Sequence, residues 1–265
     1  MKNIVLTFHN VTDAVWFDKT IKVISKFYHF GCLDDLYKRL IDGPDNMPSR
    51  MCFITFDDGE KTVYEKVFPI IKKYNIPITL FVSPLNIKNG GSFWFQRLRQ
   101  IDNSKVESMK RYNLEEINRQ IDELDPNKKT NIDSNINIEM FNEMLHSGLV
   151  TYGAHTQNHP ILSNENDTIS KMEIEQSIID LQQLTHKKVD YFAYPNGGIN
   201  DFSAREIEYL KKMNIKLAFT THNALVKNED LYKINRVGIT KGNSLIILCK
   251  IFMPSLYVSI RNLIK

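Results

Sequence analysis

Two neighbouring carboxylates, Asp57 and Asp58, stand where an apolar run from Met51 to Phe56 stops at Gly59. A run of that length, rich in aromatic and β-branched residues and closed by glycine, reads as a buried strand ending in a tight loop. The acids therefore sit at the C-terminal end of a strand, the end that faces the active site in parallel α/β architectures. Further along, Gly153-Ala154-His155-Thr156-Gln157-Asn158-His159-Pro160 follows a second apolar stretch, Leu149 to Tyr152. Two imidazoles and one carboxylate are a common ligand set for a catalytic zinc that keeps one position open for water. Taken singly, an Asp-Asp pair is ordinarily a turn or a helix cap, and a His-x-x-x-His is ordinarily surface. The case is stronger because each follows its own strand. Adjacent residues of an extended strand point to opposite faces, so the two aspartates can divide the work only if the chain turns at that point. Gly59 permits such a turn.

The elements that must position these groups alternate along the chain. A first strand ends at His9-Asn10; Phe17 to Tyr28 and Leu33 to Leu40 read as helices, and the strand carrying Asp57 and Asp58 follows. Thr62 to Asn75 is expected to be helical, with Pro69 near a helix start because proline has no N–H to lose there. Next comes a strand from Ile78 to Val82. From Ile138 the expected order is helix to Leu145, a cap at Gly148, the strand before the histidines, and helix Thr168 to Leu184. Strand Val189 to Tyr194, helix Phe202 to Met213 and strands Leu217 to Thr221 and Lys233 to Ile239 complete it. Strand, helix and strand in succession mean parallel pairing through right-handed crossovers, hence an α/β fold around a parallel sheet. Between Asn86 and Asn137 the chain is polar, and Val106 to Leu124 reads as charged helix. This stretch is expected to be a helical insertion, around residues 97–136, that borders the cleft. Trp94, in the aromatic knot Ser92-Phe93-Trp94-Phe95, could stack on a bound substrate, although packing in a core is the commoner fate of such a residue.

Composition narrows the class. With 265 residues, 42% hydrophobic and 25% charged, the chain is ample for one α/β domain. The balance of 34 basic and 31 acidic residues, net +3, gives no field that would argue for nucleic acid. Cys32, Cys52 and Cys249 are too few and too scattered for a disulfide framework, which fits a reducing compartment. The apolar run of Ile4 to Phe8 is shorter than the roughly 7 to 15 residues of a secretory signal, so a cytoplasmic location is expected.

In its motifs the sequence resembles the polysaccharide deacetylase family, carbohydrate esterases that share the nodulation-type deacetylase domain. Thr55-Phe56-Asp57-Asp58-Gly59 matches the first family motif, and His155-Thr156-Gln157-Asn158-His159 the second, His-(Ser/Thr)-x-x-His. Tyr191-Phe192-Ala193-Tyr194-Pro195-Asn196-Gly197 looks like a variant of the third. The resemblance runs over roughly residues 1–240 and implies an irregular (β/α) barrel of seven strands. It also implies hydrolysis of the N-acetyl group of an amino sugar in a poly- or oligosaccharide or a glycan precursor. Carried over residue by residue, Asp58, His155 and His159 would hold a divalent metal, zinc first among the candidates. Asp57 would be the general base, and the backbone N–H of Asn196 the oxyanion donor. Tyr194 and Pro195 fall in the substrate-facing third motif. The family's third motif begins with an arginine that orients the catalytic aspartate; Ala193 stands at that position here. The family's final Leu-x-His, source of the general acid, is also missing, because no histidine lies beyond His222.

Three residues at strand ends could compensate. Arg236 is expected to reach Asp57, because a buried arginine can hold a carboxylate by two parallel hydrogen bonds. His222 is the first candidate for the acid, and His9 the reserve and a candidate substrate contact. The second function class is a sugar-binding relative that kept the barrel and lost turnover; a complete set of ligands and base favours the enzyme. Organisation is read as a barrel domain over 1–243 and an apolar tail over 244–265. The tail packs as a terminal helix or, in the second reading, lies on the inner membrane face, since Pro254 and interspersed charges rule out a span.

Overall fold

The computed structural model describes residues 3–43, 50–127, 130, 134–226 and 230–253. Its strands are β1 (Ile4–Phe8), β2 (His29–Gly31), β3 (Met51–Phe56), β4 (Ile78–Val82), β5 (Val150–Ala154), β6 (Tyr191–Ala193), β7 (Leu217–Phe219) and β8 (Val237–Gly238). Helices α1 (Ala14–Ser25) and α2 (Leu33–Asp42) precede β3, and α3 (Phe68–Tyr74) follows it. Then come α4 (Pro84–Asn89), α5 (Trp94–Asp102), α6 (Val106–Met109), α7 (Leu114–Leu124) and α8 (Ile138–His146). Helices α9 (Asp167–Thr185), α10 (Ala204–Lys212) and α11 (Ser244–Phe252) complete the described set.

The strands are parallel and follow the order β7-β6-β5-β4-β3-β1-β8, which is the irregular seven-strand (β/α) barrel expected. The ends of this path meet through the segment 231–238. Ile234 pairs with Phe219 of β7, and Val237 pairs with Leu6 of β1. The strand β2 was not expected. It pairs with Met51–Phe53 along the edge of β3 that β4 occupies from Ile54 onward. Three residues are too short a run to carry a periodicity signal.

Strand alternation sorts the side chains into two layers. Val5, Phe53, Phe81, Tyr191, Leu217 and Phe219 fall in one cluster, inside the barrel. Ile4, Leu6, Phe8, Ile54, Phe56, Leu80 and Phe192 fall in another with the inner faces of the helices, including Phe17, Ile21 and Ile24 of α1. Near the C-terminal ends, register puts the small polar side chains Thr7, Thr55 and Thr79 side by side. Their small volume leaves room inside for a longer polar group.

Two helices are cut shorter than the periodicity predicts. The stretch 62–75 opens with a π-turn, Val63–Val67, before α3 begins with Pro69 in its first turn. The charged helix expected over Val106 to Leu124 is broken between α6 and α7, where the Asn113 side chain accepts from Glu116 N and caps α7. The insertion buries its own small core of Phe93, Trp94, Phe95, Leu98, Met109, Ile117 and Ile121. In the tail, α11 packs on α1 and buries Ile247 and Ile251, while Phe252 lies edge-on to Phe27. Residues 254–265, the rest of that tail, lie outside the described residues. No described helix is long and apolar enough to cross a membrane.

Candidate active site

At the C-terminal ends of β3, β5 and β6 the chain turns sharply, and each turn uses positive φ. Asp58 lies at φ +70°, and Gly59 N–H donates back to Asp57 O at 2.9 Å, a γ-turn of the rarer, strained hand. The reversal that divides the two aspartates is therefore made at Asp58 itself as well as at Gly59. Asn196 makes a turn of the same kind, with φ +58° and Gly197 N–H donating to Pro195 O. At Gly197, also at positive φ, a Cβ would sit 3.0 Å from the Thr221 backbone N, so only glycine fits. His159 has φ +59°. Positive φ at three chemistry-bearing residues is local strain of the kind that clusters at functional sites, although Asn75 and His186 carry it too, as helix C-caps.

Asp58, His155 and His159 are all buried, and their ligand atoms lie within 4.8 Å of one another. The imidazole Nε2 atoms of His155 and His159 are 3.5 and 3.3 Å from Asp58 Oδ1, yet that oxygen has no hydrogen-bond partner. His155 Nδ1 lies 2.7 Å from the Ala193 carbonyl, a contact that requires the proton on Nδ1 and leaves the Nε2 lone pair facing Asp58. A buried carboxylate oxygen without a donor, facing two imidazole nitrogens, fits a divalent cation with N and O ligands. Burial opposes ionisation of Asp58, but the two imidazoles prevail and hold its carboxyl well below the ordinary range. Desolvation also works against a charged His155, yet Asp58 and Asp57 outweigh it and raise its pKa; burial lowers that of His159.

Asp57 faces the barrel interior. Arg236, fully buried, donates from Nη1 to Asp57 Oδ1 at 2.7 Å and from Nη2 to Oδ2 at 2.8 Å. Two further donors are used as well: Nη1 also reaches Thr55 Oγ1, and Nε donates to the Thr220 carbonyl. The guanidinium sits over the rings of Phe81 and Phe219. Burial pushes the Asp57 carboxyl up, but Arg236, with His155 beside it, holds it below the usual carboxylate value.

Asp57, Asp58, His155 and His159 line one cleft of about 540 Å³, together with His9, Trp94, Phe95, Arg99, Asn196 and Thr221 among others. His9 Nε2 stands 3.9 Å from Asp57 Oδ2. The backbone N–H of Asn196 has no acceptor among the described residues, while its side chain is tied down by Asp201. Other expectations need correction. His222 does not line this cleft; it lies on a separate cavity on the far side of Thr221. Tyr194 is fully buried, stacked on Phe202 with its hydroxyl donating to the Tyr232 carbonyl, so it offers nothing to a substrate. Pro195 is buried and lines neither cavity. Trp94 is at the cleft but 4% exposed, and its indole N–H donates to the His159 carbonyl, so it supports a ligand loop as well as the wall.

A family model described as polysaccharide deacetylase matches residues 45–218, well over half of the chain. The chain belongs to the polysaccharide deacetylase family. Its curated relatives include the poly-β-1,6-N-acetyl-D-glucosamine N-deacetylase of Staphylococcus epidermidis, 26% identical over 202 residues, which is 73% of this chain and 56% of that protein. The Staphylococcus aureus (strain MRSA252) protein of the same name is 27% identical over the same length and shares. The chain thus spans little more than half the length of these relatives. Among solved structures, IcaB from Ammonifex degensii superposes with a TM-score of 0.68 at 20% identity, covering 97% of this chain and 96% of that one. The Streptococcus pyogenes deacetylase PplD, in complex with acetate, gives 0.65 at 19% identity over 90% and 92%. Both likenesses support the fold of this family member.

One residue that motif reading passed over is Glu173 of α9, which is 1% exposed. Its Oε2 accepts from the backbone N–H groups of Gln157 and Asn158 at 2.9 and 2.8 Å, and its Oε1 from Asn158 Nδ2 at 2.7 Å. It holds from beneath the loop that joins the two histidines. A glutamate in the middle of a helical pattern looks like solvated surface, so only the docking of α9 on this loop reveals it.

Proposed function

We propose that the protein is a metal-dependent N-deacetylase acting on an N-acetylated amino sugar within a poly- or oligosaccharide. The observation that carries this reading is the partnerless Asp58 Oδ1 facing two imidazole nitrogens, beside a second carboxylate locked by Arg236. Asp58, His155 and His159 would hold the ion, with zinc the best match to one carboxylate and two imidazoles. When bound, such an ion would lower the pKa of a water to about 7 and act as a Lewis acid for the acetamide carbonyl.

The chain's own residues do the rest. Asp57, kept ionised and fixed by Arg236, takes the proton of the attacking water. The Asn196 N–H donates to the oxygen that gains charge as the carbon becomes tetrahedral, a contribution of about 3 kcal/mol when well aimed. As the C–N bond breaks, the amine must gain a proton, and His9 is the donor that the cleft offers in place of His222. Acetate and a free amino sugar leave. Poly-β-1,6-N-acetylglucosamine is the first substrate to try, because the curated relatives carry its name.

The test is acetate release from β-1,6-linked N-acetylglucosamine oligomers, before and after chelation and after zinc is restored. Loss and recovery of turnover are expected. A protein that binds oligomers and metal but never releases acetate would instead be the sugar-binding relative. The tail supports a second, smaller proposal, a peripheral membrane contact, since α11 exposes Leu245 and Ile246. Flotation with liposomes, with cell fractionation, tests it, and L245E together with I246E should abolish binding.

A further inference from the structure

The insertion turns one helical face to the cleft. Phe95, Arg99, Asn103, Val106 and Lys110 recur every three or four residues, from α5 through the short 3₁₀ turn Asn103–Lys105 to the end of α6, and all five line the cleft. The face changes character along its length. Next to the histidines it is aromatic, with the Phe95 ring centred 4.8 Å from that of His159. One helical turn further on, the Arg99 guanidinium lies over the Phe95 ring, 5.0 Å from its centre. No more than about 10 Å therefore separates this cation from the His159 imidazole.

Arg99 is exposed on the cleft, and its side chain makes no hydrogen bond or ion pair with any described residue. The acids around it are engaged elsewhere: Asp57 with Arg236, Asp102 with Ser104, Glu60 with Gln96, and Glu107 with Lys110. Phe95, four residues earlier on the same helix, holds the guanidinium by cation–π attraction and uses none of its five N–H donors. Lys110 brings a second cation to the same wall. Its partner Glu107 is 84% exposed, and an exposed pair of this kind contributes little, so the ammonium is free to turn to a bound anion. An unused fork of donors matches the paired oxygens of a carboxylate or phosphate, whereas a hydroxyl can occupy only part of it.

We propose that Arg99, assisted by Lys110, is a recognition site for an oxyanion substituent borne by the glycan. The proposal rests on the deacetylase reading above and narrows the substrate class: an N-acetylated glycan with acidic substituents is preferred to a neutral one. The anion binds away from the reacting acetamide, so it acts on substrate binding and leaves the chemical step to Asp57 and its neighbours.

The test compares acetate release from two β-1,6-linked N-acetylglucosamine hexamers, one bearing carboxymethyl ethers and the other the uncharged carboxamidomethyl ethers of the same shape. The parent should favour the charged hexamer about tenfold in kcat/KM, through KM, the weight of a charge-assisted hydrogen bond. That advantage should shrink as salt is raised from about 0.01 to 1 M. Arg99→Gln should turn over both hexamers alike, Arg99→Lys should keep part of the preference, and Lys110→Gln should weaken it about two- to threefold. A parent without the preference, or a preference that survives Arg99→Gln, would overturn the site. Inhibition by free inorganic phosphate in a parent that ignores the glycan's charge overturns it too, because the cations then hold only an ion from solution. If the parent releases no acetate from either hexamer, the deacetylase reading fails, and calorimetric titration of the same two hexamers decides the site separately. Tighter binding of the charged hexamer that is lost in Arg99→Gln supports it; any other pattern rejects it.

Discussion

On the barrel side of the cleft the polar groups are tied to strands or to the helix behind them: Asp57 to Arg236, His155 to the Ala193 carbonyl, the histidine loop to Glu173. On the opposite side, the wall formed by α5 to α7 has its own small core and meets the candidate metal ligands through Trp94, Phe93 and Phe95 around His159. Its cleft-facing charges sit on flexible side chains, with Arg99 lying over the Phe95 ring and Lys110 paired to an exposed Glu107. The difference teaches where each task can be placed. Groups that must hold a proton or an ion at a fixed distance need strands and buried partners, whereas groups that meet a varied glycan can stand on an insertion that packs by itself.

The strongest way to break this comparison is on the barrel side. Asp58→Asn, His155→Ala and His159→Ala should each strip bound metal, measured by elemental analysis, and abolish acetate release. Asp57→Asn should keep the metal and lose about 10²- to 10⁴-fold in turnover. Full metal occupancy in any of the first three would overturn the ligand assignment. Next in size is Arg236→Met, which leaves a buried carboxylate without its partner. Chemical denaturation should show about 3–5 kcal/mol less stability, and an unchanged midpoint would mean that Asp57 is not held as described.

Glu173→Ala should cost about 10- to 100-fold in metal affinity by freeing the histidine loop, with Glu173→Gln in between, as read by competition with a chelator. The wall should matter less to the metal. Trp94→Phe removes one hydrogen bond to His159 O, worth about 1 kcal/mol, so metal affinity should fall about fivefold. A loss as large as that of Glu173→Ala would erase the distinction between floor and wall. The smallest effect concerns pH. Glu206 caps α10 and accepts from Ser203 and Ser170; burial works against its charge, but these donors and Arg205 hold its pKa below the ordinary 4.5. A carboxylate with a depressed folded pKa contributes stability that is present above its unfolded value and lost as pH falls through the folded one. The difference in melting temperature between the parent and Glu206→Gln should therefore be constant near neutrality and shrink below about pH 4.5.

Much of the frame was legible because it is periodic and local. Runs such as Met51 to Phe56 and Ile78 to Val82 specify buried strands, and the alternation with helices specifies parallel pairing. Asp57-Asp58-Gly59 and His155 to His159 mark their own places at strand ends, and the pairing of Arg236 with Asp57 could be reasoned from chemistry, since a missing arginine must be replaced by another. What the sequence did not determine depends on contacts between residues far apart in the chain. That His9 lines the cleft and His222 a separate cavity follows from which side of Thr221 each residue falls. The burial of Tyr194 follows from the docking of Phe202, and the role of Glu173 from the packing of α9 beneath the histidine loop. A strand-end position indicates that a side chain is near the site, but the twist of the strand and the turn that follows decide which way it points. Those are fixed by positive-φ turns and long-range hydrogen bonds, and neither leaves a periodic trace in the sequence.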